Sequence, residues 1–287
     1  VSVVDKAYFW WSSARTASGY GLASGPVLAD EIDDRRRAVK QAALRGPKFA
    51  STLAFFGCLN LPWRLDAGAQ ALLAPWFVLH RASGAGRLDA ARLDWLWEAS
   101  STSKVGPFAA AAVGAARCGA VGDWRGLLGG SGRSLPDPLG CPKAVLRDFL
   151  LGEHELAQCR KLDATRSTYR GVAGGVDHWA VQWAVRAAHL DFAQAGALRA
   201  VMVGNHTTQS RAAHWPGGCT KCRFCAAARE CPFHRFWLCP RWEAARRPKL
   251  RGLTVAEVVA ESPRLLLEHG LLPVSPTLAE ARETAAR

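Results

Sequence analysis

Five of the nine cysteines in this 287-residue chain fall within one short stretch, which reads Cys219-Thr-Lys-Cys222-Arg-Phe-Cys225-Ala-Ala-Ala-Arg-Glu-Cys231-Pro-Phe-His234-Arg-Phe-Trp-Leu-Cys239-Pro. Two thiolates separated by two residues form a knuckle that holds one side of a tetrahedral Zn²⁺, and a His and a Cys five positions apart close the other side. The C-x2-C-x8-H-x4-C spacing therefore predicts a closed, structural zinc site with four protein ligands: Cys222, Cys225, His234 and Cys239.

Two further cysteines in the same stretch leave the ligand set open at the level of sequence. Cys231 and His234 lie three residues apart on one helical face, so Cys231 could replace His234 as a ligand. Cys219 and Cys222 form a second C-x2-C pair that competes as the first knuckle. The remaining cysteines are isolated in or beside apolar sequence and are predicted to be small buried side chains: Cys58, Cys118, Cys141 and Cys159.

The distribution of cysteines also bears on the compartment. An odd total, tight clustering and an N-terminus without a basic start and long apolar run favour an intracellular metal site over a secreted disulfide framework. The chain begins with Val1, and Met202 is its only methionine, so we expect it to be a piece of a longer polypeptide.

Composition bounds the class of protein. With 49% hydrophobic and 21% charged residues the chain can bury a core, which excludes wholesale disorder. The least charged stretches, 49–63 and 67–80, are shorter than the ~20 apolar residues that a membrane-spanning helix needs. We therefore predict no membrane partner. The 37 Lys and Arg residues exceed the 24 Asp and Glu residues, and this net charge of +13 favours an anionic partner.

Turn and breaker residues divide the chain into helical segments, predicted at 26–45, 66–82, 88–100, 107–118, 143–161 and 177–195. Alternating β-type runs are scarce, so the predicted fold class is mainly α. The predicted organisation is an irregular helical region over 1–118, a Gly/Pro-rich linker over 119–142, a helical segment over 143–251 that carries the zinc knuckle at 219–239, and a C-terminal helical tail over 252–287.

The cysteine and histidine run resembles the zinc-binding region downstream of the reverse-transcriptase domain in non-LTR retrotransposon polyproteins. The resemblance covers residues 171–247, and Cys219 and Cys231 depart from the family's pattern. The agreement extends beyond the ligands to an approach segment, an acidic residue before the His and a Cys-Pro-x-Trp ending: Leu198-Arg199, Gly204, Thr207-Thr208-Gln209, Glu230 and Cys239-Pro240-Arg241-Trp242. It implies that residues 1–160 correspond to the helical region between polymerase and zinc site.

The resemblance also implies which catalytic centres lie outside this chain. Polymerase catalysis in that family uses an aromatic-Ala-Asp-Asp turn whose carboxylates hold two Mg²⁺ ions. The nearest string here, 28–31 (Leu-Ala-Asp-Glu), lacks the aromatic residue and the second Asp. The segment 240–287 contains no Asp and is too short for a nuclease core. We therefore predict that this chain is not itself an enzyme, while its parent polyprotein is expected to be an RNA-directed DNA polymerase.

Basic residues surround the predicted zinc site and favour a nucleic-acid partner, RNA or DNA, because cations beside aromatic rings are typical of surfaces that bind single strands. The predicted phosphate contacts are Arg223, Arg235, Arg241, Arg246, Arg247, Lys249 and Arg251. For the aromatic residues a second interpretation competes, in which Phe236 and Trp237 pack a small core around the metal, and we favour it.

The sequence thus predicts a non-catalytic, zinc-binding, nucleic-acid-binding C-terminal part of a retroelement reverse transcriptase, located in the nucleus. The alternative is a structural or protein-interaction zinc module derived from a degenerate or domesticated element, in which the positive charge is incidental. A contiguous basic face beside the zinc site would favour the first hypothesis, and an exposed Trp/Leu patch would favour the second.

Overall fold

The computed structural model describes residues 25–44, 50–59, 61–103, 105–186, 190–206, 208–209, 213, 219–226 and 228–274. The described elements are predominantly helical, so the predicted mainly α class is confirmed. The chain forms two compact units, one from the described parts of 1–46 and 61–160 and the other from those of 47–60 and 161–287. This division does not follow the predicted domain borders at residues 118, 142 and 251.

The helices follow the predicted segments closely in the first half of the chain. In chain order they are α1 (Ala29–Leu44), α2 (Thr52–Cys58), α3 (Ala67–Gly84), α4 (Ala90–Ser103), α5 (Gly106–Arg117), α6 (Lys143–Thr165), α7 (His178–Arg186), α8 (Phe192–Met202), α9 (Glu243–Arg246), α10 (Val255–Glu261) and α11 (Arg264–His269). Short 3₁₀ turns span Trp63–Leu65, Ser167–Tyr169, Pro240–Trp242 and Arg247–Lys249.

The predicted helix over 177–195 is instead two helices, α7 and α8. Asp177 caps the first, since its carboxylate accepts the Ala180 N–H at 3.1 Å. Asp191 then starts α8 with a capping box, in which its side chain accepts the Gln194 N–H and the Gln194 side chain accepts the Asp191 N–H. A reciprocal cap of this kind stabilises a new helix start inside a run that otherwise has helical periodicity.

The stretch predicted as a flexible linker, 119–142, is a folded part of the first unit. It contains a three-stranded antiparallel sheet in the order β1-β2-β3, formed by β1 (Val121–Asp123), β2 (Gly126–Leu128) and β3 (Ser134–Pro136). Its apolar side chains are buried in one cluster with residues of α3 and α6: Leu127, Leu135, Leu139, Trp76 and Leu146. Burial of apolar side chains in this way is not expected of a flexible linker.

The glycine-rich loop between β2 and β3 is held by a buried carboxylate. Glu153 accepts the Ser131 N–H at 3.0 Å and also the Ser131 hydroxyl. A Cβ placed on Gly129 would lie 2.3 Å from the Glu153 side chain, so a larger residue there would displace this carboxylate from its contacts with Ser131. Arg160 donates to the Gly130 carbonyl at 3.0 Å. Glycine is therefore required for a close approach here, and not for flexibility.

The isolated cysteines are mostly buried, as predicted. Cys58, Cys118 and Cys159 are buried thiols, while Cys141 is only partly buried. Burial raises the pKa of Cys118 to about 11 and the pKa of Cys159 to about 12. These thiols therefore stay protonated and act as small apolar side chains.

The predicted C-terminal tail is also part of a unit rather than an appendage. Leu265 and Leu271 are fully buried. The Asp177 N–H donates to the Leu272 carbonyl at 2.9 Å, and the Val274 N–H donates to the Gly175 carbonyl at 3.1 Å. Residues up to 274 thus close the second unit, and 275–287 lie outside the described residues.

A buried ionic cluster fixes the start of α3. Asp66 caps this helix by accepting the Gly68 N–H at 2.8 Å, and it accepts two bonds from Arg36, from Nε at 2.6 Å and from Nη2 at 2.7 Å. His154 Nε2 lies 3.0 Å from the same carboxylate. Burial acts to raise the pKa of Asp66, but the charge of Arg36 and the contact with His154 outweigh it and hold that pKa far below its ordinary value.

We expect Asp66→Asn to lower the free energy of unfolding by about 3–5 kcal/mol, because it removes the carboxylate charge that pairs with the buried Arg36 guanidinium. The control Asp34→Asn removes an exposed pair with Arg37 and should cost no more than about 0.5 kcal/mol. Urea unfolding followed by circular dichroism measures both.

The pH dependence of the Asp66→Asn effect has a definite sign. The folded pKa of Asp66 is depressed, so its stabilisation is complete above the unfolded pKa of about 3.9 and declines as the pH falls below it. The difference between the natural chain and Asp66→Asn should therefore shrink between about pH 5 and pH 3. A difference that stays constant over this range would contradict the assignment.

Candidate metal centre

The first half of the site is a tight turn built around Cys222. The Cys222 N–H donates to the Ala228 carbonyl and the Ala226 N–H donates to the Cys222 carbonyl, each at 2.7 Å. An antiparallel bridge between Lys221 and Arg229 closes the base of the turn. Ala226 has a φ of 58°, a left-handed conformation that costs a residue with a Cβ about 1–2 kcal/mol. The turn adopts this conformation despite its cost, and it places the side chains of Cys222 and Cys225 on the same side of the turn.

The second half of the site is a π-helical turn, His234–Leu238. The Cys239 N–H donates to the His234 carbonyl at 2.7 Å, which is the five-residue hydrogen bond of π winding. In a regular α-helix residues five apart are rotated by about 140° from one another. The wider turn reduces this angle, so His234 and Cys239 face the same point. The sequence predicted one helical turn here but gave no sign of its π geometry.

The four predicted ligand atoms converge. The Sγ atoms of Cys222 and Cys239 lie 3.8 Å apart, the Cys225 Sγ lies 3.4 Å from the His234 Nε2, and all four atoms lie within 4.8 Å of one another. A tetrahedral zinc with its usual bond lengths would set two sulfurs about 3.8 Å apart and a sulfur and a nitrogen about 3.6 Å apart. The donor set therefore fits a four-coordinate metal ion.

The site is largely enclosed by protein. Cys222, His234 and Cys239 are buried, and Cys225 is partly buried. Burial and the adjacent thiols of Cys222 and Cys225 raise the pKa of Cys239, because a thiolate there would lose hydration beside other sulfur atoms. A bound cation reverses this balance and stabilises the thiolates, so metal binding and release of the thiol protons are coupled.

Cys219 and Cys231 lie outside this group of four side chains. The Cys231 Sγ accepts the His234 N–H at 3.3 Å, and the Cys219 Sγ accepts the Lys221 N–H at 3.4 Å. In the part of the chain that the structure describes, Cys222, Cys225, His234 and Cys239 form the one group of His, Cys or acidic side chains arranged to hold a metal ion.

Glu230 connects the knuckle to the rest of its unit. Its carboxylate is fully buried, is paired with the Arg235 guanidinium (Nε at 2.6 Å) and accepts the Gln209 N–H at 2.9 Å. Arg235 was predicted to contact phosphate, but this buried ion pair assigns it an internal role. In the sequence, Glu230 was recognisable only as the acidic residue of the family pattern. Its partners Arg235 and Gln209 lie 5 and 21 residues away, so the local sequence does not indicate these contacts.

Arg246 also differs from its predicted role as a phosphate contact. Its guanidinium donates to the carbonyls of Phe236 at 3.3 Å and Cys239 at 2.8 Å, so it stabilises the chain where it leaves the metal site. A cation near the end of a helical turn satisfies carbonyls that lack intrahelical partners. The other predicted contacts are exposed: Arg223, Arg241, Arg247, Lys249 and Arg251.

The aromatic residues divide into two groups. Phe236 lies 5.8 Å from the buried His206 ring, and the Trp237 indole N–H donates to the Leu267 carbonyl at 2.7 Å. These two rings pack the small core that we favoured from the sequence. Phe224 and Trp242 remain at the surface, 5.1 Å apart and edge to face.

The remaining motif residues lie on the approach to the site. Leu198 and Arg199 belong to α8, and Gly204 follows that helix with a φ of 69°, a conformation that glycine adopts without strain. Thr208 is buried, and Thr207 lies outside the described residues.

Comparisons with protein-family models, with curated proteins and with solved structures found no match for this chain. Among the helices that the structure describes, none has both the length and the apolar character needed to cross a lipid bilayer.

We expect Cys231→Ser and Cys219→Ser to retain one bound metal ion per chain, since neither sulfur belongs to the group of four. Cys222→Ser and Cys239→Ser should lower the metal content well below one, because each removes a buried thiolate ligand. Elemental analysis of the purified variants measures this. Loss of metal in Cys231→Ser together with retention in His234→Ala would overturn the ligand assignment.

Proposed function

We propose that the metal ion is Zn²⁺ and that its role is structural. Three thiolates and one imidazole in a tetrahedral arrangement are a preferred zinc donor set. All four coordination positions are supplied by the protein, so no position is left for a substrate or an activated water molecule. This closed donor set supports a non-catalytic role for the site, and the ion would hold the knuckle and the π-helical turn together.

We infer that the surface beside this site binds RNA or DNA. Between residues 219 and 251 there are nine basic residues and two acidic ones, a balance of +7. The observation that carries the inference is the exposure of Arg241, Arg247, Lys249 and Arg251 within the twelve residues after the last ligand, opposed only by Glu243 in that segment. Polyphosphate backbones bind such clusters mainly by releasing counterions.

The proposed parent is a retroelement reverse transcriptase, with this chain as its C-terminal part and the nucleus as its place of action. The residues that carry the resemblance have physical roles that support it. Glu230, the acidic residue before the His, ties the knuckle to Gln209 on the approach segment. Trp242, which completes the Cys-Pro-x-Trp ending, packs against Phe224, which lies between the first two predicted ligands in the sequence. Both contacts connect a motif residue to a residue that is distant in sequence.

A protein-interaction module is the second candidate, and one observation favours it. Trp179 and Trp183 lie one turn apart on α7 and are 67% and 55% exposed. Exposed tryptophans on one helical face are typical of surfaces that bind another protein. A chain that binds no nucleic acid at low salt would move this candidate ahead.

Removal of the metal with a chelator should unfold the segment from about residue 200 to 247, because the folding free energy of such a site comes largely from metal binding. Hydrogen exchange measured by mass spectrometry reports on this segment directly. The amides of Cys222, Ala226 and Cys239 are hydrogen-bonded within the site and should lose their protection. Peptides from α3 serve as the internal control and should exchange as before. Unchanged protection at these three amides would contradict a structural metal.

The double variant Arg247→Ala, Lys249→Ala should weaken binding and flatten its salt dependence. Each lost phosphate contact removes about 0.7–0.9 from the slope of log K against log[salt], so the pair should remove about 1.4–1.8. The metal content should not change, since neither residue is a ligand. Fluorescence titration with labelled RNA at several salt concentrations measures the slope. The matched control is Arg87→Ala, Arg92→Ala on the exposed surface of the first unit, which should leave the slope unchanged.

A further inference from the structure

Two aromatic rings remain exposed at the metal site after the others have been packed inside. Phe224, between the first two ligands, is 37% exposed, and Trp242, three residues after the last ligand, is 38% exposed. Their ring centroids are 5.1 Å apart with an interplanar angle of 68°. Apolar rings next to each other at a surface lose favourable burial unless a ligand covers them.

Two guanidinium groups lie close to the Phe224 ring. The Arg235 guanidinium lies 5.6 Å from the Phe224 ring centroid and is itself fixed by the buried Glu230 carboxylate. The Arg223 guanidinium lies 5.0 Å from the same ring, and its side chain is exposed. These contacts restrict the Phe224 ring before any ligand arrives, which reduces the entropy lost on binding.

We propose that Phe224 and Trp242 form a stacking platform for an unpaired base of single-stranded nucleic acid, with Arg223 and Arg241 as the cations that contact its phosphates. This inference rests on the proposed nucleic-acid function and makes it specific. The surrounding charge favours a polyanion over an apolar protein surface, since the segment 219–251 carries nine basic residues against two acidic ones. Bases stack on aromatic side chains with little regard to sequence, whereas in a duplex they are already stacked and paired.

A test that needs no variant uses an abasic strand. The zinc-loaded natural chain is titrated with a labelled 12-nucleotide RNA, a DNA of the same sequence, a DNA strand of equal length that carries phosphates but no bases, and a duplex. We expect both single strands with bases to bind about tenfold more tightly than the abasic strand, in keeping with the contribution of one stacked base. Equal affinity for the abasic strand, or tighter binding of the duplex than of the single strands, would overturn the platform.

Single substitutions test whether Phe224 and Trp242 are the residues that stack on the base. Phe224→Leu and Trp242→Leu should each weaken binding of the base-bearing strands about tenfold, leave the affinity for the abasic strand unchanged and leave the salt slope unchanged, because no phosphate contact is removed. Phe224→Tyr and Trp242→Phe keep a ring and should retain most of the affinity. The control is Trp179→Leu, which removes an exposed ring of α7 and should have no effect. Metal content measured on each protein confirms that the site is intact.

The outcomes separate this inference from the function on which it rests. Salt-dependent binding that is unaffected by Phe224→Leu and Trp242→Leu overturns the platform and leaves the nucleic-acid function standing. Absence of binding by the natural chain to every strand at low salt overturns both. Loss of affinity on the abasic strand in the two leucine variants also overturns the platform, since it shows that the rings act through the backbone contacts.

Discussion

The convergence of three sulfur atoms and one nitrogen atom on a common point is the constraint on which the knuckle depends. The four atoms lie within 4.8 Å of one another, in a stretch whose buried apolar side chains are few. So small an element cannot supply its own hydrophobic core, and crowded thiols resist ionisation when no cation is present. The π-helical turn at His234–Leu238 and the left-handed Ala226 both follow from the need to bring the donors together, and a metal ion would offset what these conformations cost.

A chain of contacts leads from this point to the surface. Glu230 lies between the second and third ligands in sequence, and its buried carboxylate orients Arg235. Arg235 in turn lies over the ring of Phe224, which packs against Trp242. The arrangement of the exposed rings therefore depends on a buried ion pair, and that pair depends on the knuckle being folded. A metal ion held by the four side chains would therefore also stabilise the arrangement of the exposed rings.

The sequence predicted the four side chains that converge and the helices α1 and α3–α6, and it did so for local reasons. Ligand spacing and helical periodicity are read within a few residues, so Cys222, Cys225 and the helices α1 and α3–α6 could be recognised. Features that depend on residues distant in sequence could not be recognised in this way. The segment 119–142 has a linker's composition, yet Glu153 satisfies its loop and Leu127 joins the core, because glycine and proline serve tight turns as well as flexible connections. The π-helical turn likewise has no signature in composition.

The roles of the arginines also depend on partners that only the fold brings close. Nothing in the sequence distinguishes Arg235 and Arg246, which satisfy a buried carboxylate and two carbonyls, from Arg241 and Arg247, which are exposed. The fold uses the former pair internally. It also buries Glu230 behind Arg235, so this negative charge is neutralised and shielded from any ligand. Glu243 is then the single acidic residue between 219 and 251 that still opposes the exposed cations, and these lie directly after the metal site in the chain. Folding thus leaves the net charge as it is but shields its negative part, so that the exposed charge of the segment after the last predicted ligand is mainly positive.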